Sequence, residues 1–160
     1  MAAPTNIFAG VTTRLYYDES ATPLDIDASD VLAGAAVASN LVDSVTEVGD
    51  YNPTLNIHEF GVYGTRNSSY LPTNRTFSTF DIKVAHIPSN TIHAALYESA
   101  DATLKTFIIA QVDPSDATNI RYIGLQGFIT TSTDMNPYAE QSELMISMQI
   151  TQQPSVQFSS

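Results

Sequence analysis

The chain contains no cysteine and no tryptophan. The first absence removes disulfides, thiolate metal sites and cysteine nucleophiles together, so stability has to come from packing and association. The second leaves any carbohydrate-stacking platform to the eight tyrosines. Positive charge is also scarce: six Lys and Arg stand against seventeen Asp and Glu, a formal charge of -11. That is the reverse of the basic footprint of a protein that grips nucleic acid, and it predicts repulsion from DNA. The plainer reading of the same charge is that carboxylates keep a protein soluble. There is no apolar run long enough to span a membrane as a helix. Residues 1–10 (MAAPTNIFAG) place no positive charge before an apolar stretch, so no secretory signal of the usual kind is read there, and synthesis and use in the cytoplasm are expected.

What is present is a globular composition. A content of 43% hydrophobic residues is too apolar for a disordered chain, and 160 residues suit one core that buries roughly two-thirds of the unfolded surface. One domain over 1–160 is expected, with a leader at 1–10 and a polar tail at 154–160 both flexible.

Strand signals dominate. Val11–Tyr17 (VTTRLYY) is β-branched and aromatic and is followed by a turn. Leu41–Val48 and Thr54–Tyr63 alternate apolar and polar residues and are joined through GDYNP, with a slip near Glu59 that suggests a bulge. Residues 64–75 (GTRNSSYLPTNR) read as a long extended loop. Thr76–Ile87 alternates clearly, with Phe80, Ile82 and Val84 on one face, and Pro88 ends it. Asn90–Ala100 has an N-cap at Ser89 or Asn90 and apolar residues at helical spacing, which predicts a helix. Leu104–Val112, Ile120–Thr131 and Glu143–Thr151 complete the strands, while the alanine-rich 30–39 stretch is too short for its period to separate helical turn from loop. The fold class is therefore mostly β: an antiparallel sandwich or barrel with one flanking α-helix and a long extended loop.

Motifs that carry chemistry are missing. Gly61, Gly64, Gly124 and Gly127 have no Walker-type lysine beside them. His58, His86 and His93 are scattered, and His58 and Glu59 would face opposite sides of a strand. Asp25–Asp30 (DIDASD) opens like a calcium loop, but Asp30 stands where glycine is needed and Ala36 where a bidentate Glu belongs, so solvated turn carboxylates are the better reading. No G-x-S-x-G elbow occurs. Glycosylation sequons at Asn67 and Asn74 fall in the long loop and are read as chance matches. No catalytic, cofactor or metal residue is assigned, and an enzyme is not expected.

Several stretches together resemble the tail tube proteins of long-tailed phages, a family that shares its fold with the tube protein of type VI secretion. They are GVTTRLYYD, VDSVTEVGDYNPTLNIHEFG, LPTNRTFSTFDIKV, the strand-to-helix run FDIKVAHIPSNTIHAAL and the closing RYIGLQGFITTSTDMNPYAEQSELMISMQIT, and they cover nearly the whole chain. The loop GTRNSSYLPTNR departs from the family pattern, which leaves a tail terminator or a type VI tube subunit open. The resemblance implies a virion structural protein, the major tail protein of a siphophage. Its subunits would form hexameric rings stacked into a tube for DNA ejection, with tape measure, terminator and tail-tip proteins as partners, no cofactor and no membrane. An acidic lumen would let the duplex slide without sticking. Tyr70 and Leu71 are the expected apolar anchors of the subunit contact, with Arg75 beside them. A capsid decoration protein and a small-ligand-binding β-barrel are the alternatives.

Overall fold

The computed structural model describes residues 13–18, 22–51, 54–61, 68–113, 115–135 and 142–159. The leader expected over 1–10 lies outside them. In chain order the elements are β1 (Thr13–Asp18), α1 (Val31–Ala35), β2 (Val45–Val48), β3 (Thr54–Gly61), β4 (Ser68–Thr76), β5 (Thr79–Ala85), α2 (Thr91–Tyr97), β6 (Leu104–Asp113), β7 (Asp116–Met135), β8 (Glu143–Ile150) and β9 (Ser155–Phe158). The main sheet runs β1-β6-β7-β8-β5-β2 with β9 attached to β7, and every pair in it is antiparallel.

Alternation decides which side chains meet inside. Leu15 and Tyr17, Phe80, Ile82 and Val84, Phe107 and Ile109, Ile123 and Leu125, and Leu144, Ile146 and Met148 all join one buried cluster. Inner faces of five strands can share a single cluster only if the sheet curls around it, as in a barrel. Tyr17 and Phe80 each pack a ring on Phe107, at 5.1 and 5.9 Å between centroids. Helix α2 plugs the barrel with Ile92 and Leu96. Its start is fixed by Asn90, whose side chain accepts from the N–H groups of Ile92 and His93, the capping arrangement expected of an Asn there.

The barrel closes only partway. Val42 N–H donates to Leu15 O on the β1 edge at 2.9 Å, and two residues later Ala85 N–H donates to Ser44 O on the β5 edge at 2.9 Å. Ser44 makes this change of partner with φ of 60°, in the left-handed region that a serine adopts only at some strain. The result is a wedge between β1 and β2, shut at Val42 and open at Thr13 and Val48, with a cavity of about 650 Å³.

A second layer covers the outer face of β1, β6 and β7. Tyr16, Ile108 and Ala110 point away from the barrel into a smaller cluster with Ile26 and Leu32, which belong to the strap Leu24–Ala36. Strand β6 is buried on both faces, which explains its unbroken apolar run FIIA. Gly124 makes the seat for the strap: a Cβ there would stand 2.7 Å from a methyl of Leu32.

Three expectations are corrected. Of the segment 64–75 read as a loop, residues 68–75 belong to strand β4 and pair with β3, while 64–67 lie outside the described residues; polar Ser, Thr and Asn can occupy a strand whose two faces are both wet. The tail expected to be free is strand β9, which adds to β7 over Arg121–Gly124. The strands read as a pair across GDYNP also divide: β2 joins the barrel beside β5, while β3 joins β4.

Replacing Gly124 by Val should force Leu32 from its seat and lower the unfolding free energy by about 1–3 kcal/mol in urea denaturation, the usual penalty of overpacking. An unchanged midpoint would show that the strap yields freely at that point.

Candidate functional site

The strands β3 and β4 form a separate two-stranded sheet that grows out of the end of the β2–β5 ladder, since β2 leads into it and β5 follows it. This arm is wet and apolar at once. Leu55, Ile57, Tyr70 and Leu71 are 49%, 61%, 64% and 54% exposed, among the barest large hydrophobic residues of the chain. The register sets their sides. Glu59 pairs with Tyr70 and Ile57 with Pro72, so Leu55, Ile57, Tyr70 and Pro72 share one face, while His58 and Leu71 pair on the other. The ladder slips between Leu55 and Ile57, and Thr73 bonds through its hydroxyl to Asn56 O at that point. A two-stranded hairpin with no covered face is marginal in water on its own account. The arm therefore has the composition of a contact surface.

Tyr70 and Leu71, the expected anchors, both lie on this arm, but as neighbours in a strand they project to opposite sides. Arg75 lies at the base, directly across from Leu55, and its Nη1 donates to Gln153 Oε1 of the β8–β9 link at 2.8 Å. Leu55 and Ile57 were not singled out by sequence. Their alternation marks them as strand residues, and alternation alone cannot tell a core from an exposed apolar face.

The remaining candidates are dispersed. His93 is fully buried, with Nδ1 accepting from Ile87 N–H at 2.9 Å and Nε2 placed 2.8 Å from Asp43 O, so its ring crosslinks α2, the turn after β5 and the 41–44 bridge. His86 lies against Tyr97, ring on ring at 6.3 Å, with Asp134 at 3.6 Å from Nδ1. His58 is on the arm, exposed. Among the described residues no three His, Asp or Glu side chains converge as a metal site. Asp25 and Asp27 belong to a turn, with Asp27 N–H donating to Asp25 Oδ1. Asn74 lies in β4, and Asn67 is outside the described residues.

Turn carboxylates are held charged by their own turns. Asp113 accepts from the hydroxyl and the N–H of Ser115 at 2.7 and 2.8 Å, and Asp116 from those of Thr118 at 2.7 and 3.0 Å. These hydrogen bonds, the hydroxyl's first, lower both carboxyls below their ordinary value. Asp101 is lowered likewise by Thr103, with Lys105 adding to it. Lys83 is raised, first by its hydrogen bond to Glu47, at 2.9 Å.

No family model matches the chain, and no curated protein matches it by sequence. Solved structures do match in shape. The tube-terminating cap of the anti-feeding prophage superposes with a TM-score of 0.59 at 18% identity, over 74% of this chain and 82% of the cap protein. A sheath/tube terminator of an extracellular contractile injection system gives 0.58 at 10% identity, over 92% and 94%. A chain of the sheath-tube complex of that system gives 0.55 at 10% identity, over 96% and 94%. At such identities the likeness is one of fold: the chain shares the mostly antiparallel β fold of these proteins.

Because the three aspartates have depressed folded-state values, their contribution to stability is present above the unfolded value of about 3.9 and is lost as pH falls through the folded ones. In a carboxylate NMR titration Asp101, Asp113 and Asp116 should titrate below that value, and the Ser115→Ala and Thr118→Ala variants should bring Asp113 and Asp116 back toward it. Midpoints that do not move would show that the turns leave these acids alone.

Proposed function

We propose that this chain is a structural subunit of a phage-tail-like tube that assembles with copies of itself through the β3–β4 arm. The observation that carries the reading is the arm: four large apolar side chains exposed on a two-stranded sheet, on a fold otherwise found in tube-associated proteins. In this reading six copies form a ring, and rings stack so that the arm of one subunit lies on the next. Tyr70 and Leu71 project to opposite sides, so the arm is clasped rather than laid flat, and Arg75 holds the base while presenting its exposed guanidinium to a neighbour. The contact is head to tail, the kind that builds rings and filaments.

The excess of acid then has a use. A lumen lined with carboxylates repels duplex phosphates, so DNA passes without being held, and the protein acts as the major tail protein of a phage conduit, with tape measure, terminator and tail-tip proteins at its ends. The role is structural and not catalytic. A ligand-carrying barrel is disfavoured because Tyr17, Phe80, Phe107 and Met148 occupy the interior.

A second reading has its own support: two of the neighbours described above terminate tubes. A terminator caps a tube as one ring, whereas a tube subunit stacks without limit. Negative-stain electron microscopy of concentrated protein separates them, since long hollow tubes support the conduit, and single rings support the terminator. In either case the triple substitution Ile57→Ser, Tyr70→Ser and Leu71→Ser should leave a folded monomer and raise the concentration needed for assembly at least tenfold, about 1.4 kcal/mol per contact. Assembly at the parent concentration would overturn the role of the arm.

A further inference from the structure

The C-terminal run carries glutamine at every fourth position, Gln149, Gln153 and Gln157, and each side chain reaches a different part of the molecule. Gln149 Nε2 donates to Phe77 O, just beyond the arm, at 2.9 Å. Gln153 accepts from Arg75 at the arm's base. Gln157 works hardest: its Nε2 donates to Ile26 O at 2.9 Å and to Ala28 O at 2.7 Å, and its Oε1 accepts from Leu32 N–H at 3.2 Å. That one amide serves the strap as a neighbouring strand would. Gln126 of β7 adds a bond to Leu24 O at 2.7 Å.

Strand β9 itself has no buried side chain, and its Val156 and Phe158 are 45% and 64% exposed. Backbone pairing to Arg121–Gly124, the Gln157 amide and Ser159 hold it. The Ser159 hydroxyl accepts from Ile120 N–H and donates to Thr118 O, both at 2.8 Å. An element held by hydrogen bonds with little apolar cover lies at the low end of local stability. If β9 lifts away, the strap loses three of its bonds at once, and the link that holds Arg75 loses its anchor.

We propose that Thr151–Ser159 is a coupling element: β9 and the strap dock and release as one unit through Gln157, and the same docking sets the angle of the arm through Gln153 and Arg75. The inference concerns the single subunit and holds whatever the arm binds.

Amide hydrogen exchange on the full-length Gln157→Ala variant tests the first half. Exchange should rise ten- to a hundredfold, and in parallel, at Leu32, at Ser159 and at Tyr122 and Gly124, whose N–H groups face β9 as that of Ile120 does, with the β5–β8 ladder unchanged. A rise at Leu32 alone, or one spread over the whole barrel, would overturn it. The conservative Gln157→Glu variant keeps the acceptor for Leu32 and loses the donor to Ile26 and Ala28, so it should give the same pattern if Ala unfolds the chain. For the second half, the absence of native cysteine allows spin labels at Glu59→Cys and Ala117→Cys. The distance distribution between them should broaden with Gln153→Ala and also with Gln157→Ala, and a distribution that Gln157→Ala leaves unchanged would sink the coupling to the arm.

Discussion

Strand β7 has to satisfy backbone hydrogen bonds along Asp116–Met135, and on the edge away from β6 no single neighbour is long enough to do so. Strand β8 pairs with Gly127–Met135 and stops, and β9 takes over at Arg121–Gly124 after a short break. Where the two halves meet, Gly127 is indispensable, because a Cβ there would stand 2.0 Å from Gln149 O. From this one strand follow the curl of the sheet, the position of the plug helix on β7 and β8, and the place of β9 along the β7 edge, from which Gln157 reaches the strap.

Two kinds of cohesion divide the molecule. The barrel is held by interdigitated apolar side chains, where removal of a large group leaves a hole. The outer layer is held by two glutamine amides as well as by Ile26 and Leu32, and the arm has almost no cohesion with the barrel beyond its base. Cohesion falls from the barrel outward, and the exposed apolar side chains of the arm belong to the least constrained part. With such a gradient the arm can adjust without loosening the barrel that supports it.

The sequence shows the barrel clearly because one side of each strand is dry. Phe80, Ile82 and Val84, and Leu144, Ile146 and Met148, alternate with less buried residues and all face inward as their spacing predicts. Asn90 announces the helix by its capping chemistry. Where both faces of a strand are wet, periodicity disappears: β4 reads SSYLPTNRT and has the composition of a loop. Strand β9 is four residues long and paired on one edge, below the length at which alternation is informative. Tyr70 and Leu71 stand out as apolar residues in a polar stretch, whereas Ile57 is hidden because an exposed apolar strand face and a core strand share one pattern. The strap's glutamines could not be seen, since the backbone carbonyls they bind are far away in the chain, 102 residues for Gln126 and 129 and 131 for Gln157, a pairing with no pattern in the side chains.

The bonds that Gln157 makes to the strap are between neutral groups. Salt does not screen them as it screens ion pairs, and no proton is gained or lost when they break. In a protein with so many negative charges, whose distant repulsions rise and fall with ionic strength, this fastening keeps the same hold in dilute buffer and in brine. What can undo it is competition for backbone hydrogen bonds, and the natural competitor is another polypeptide strand.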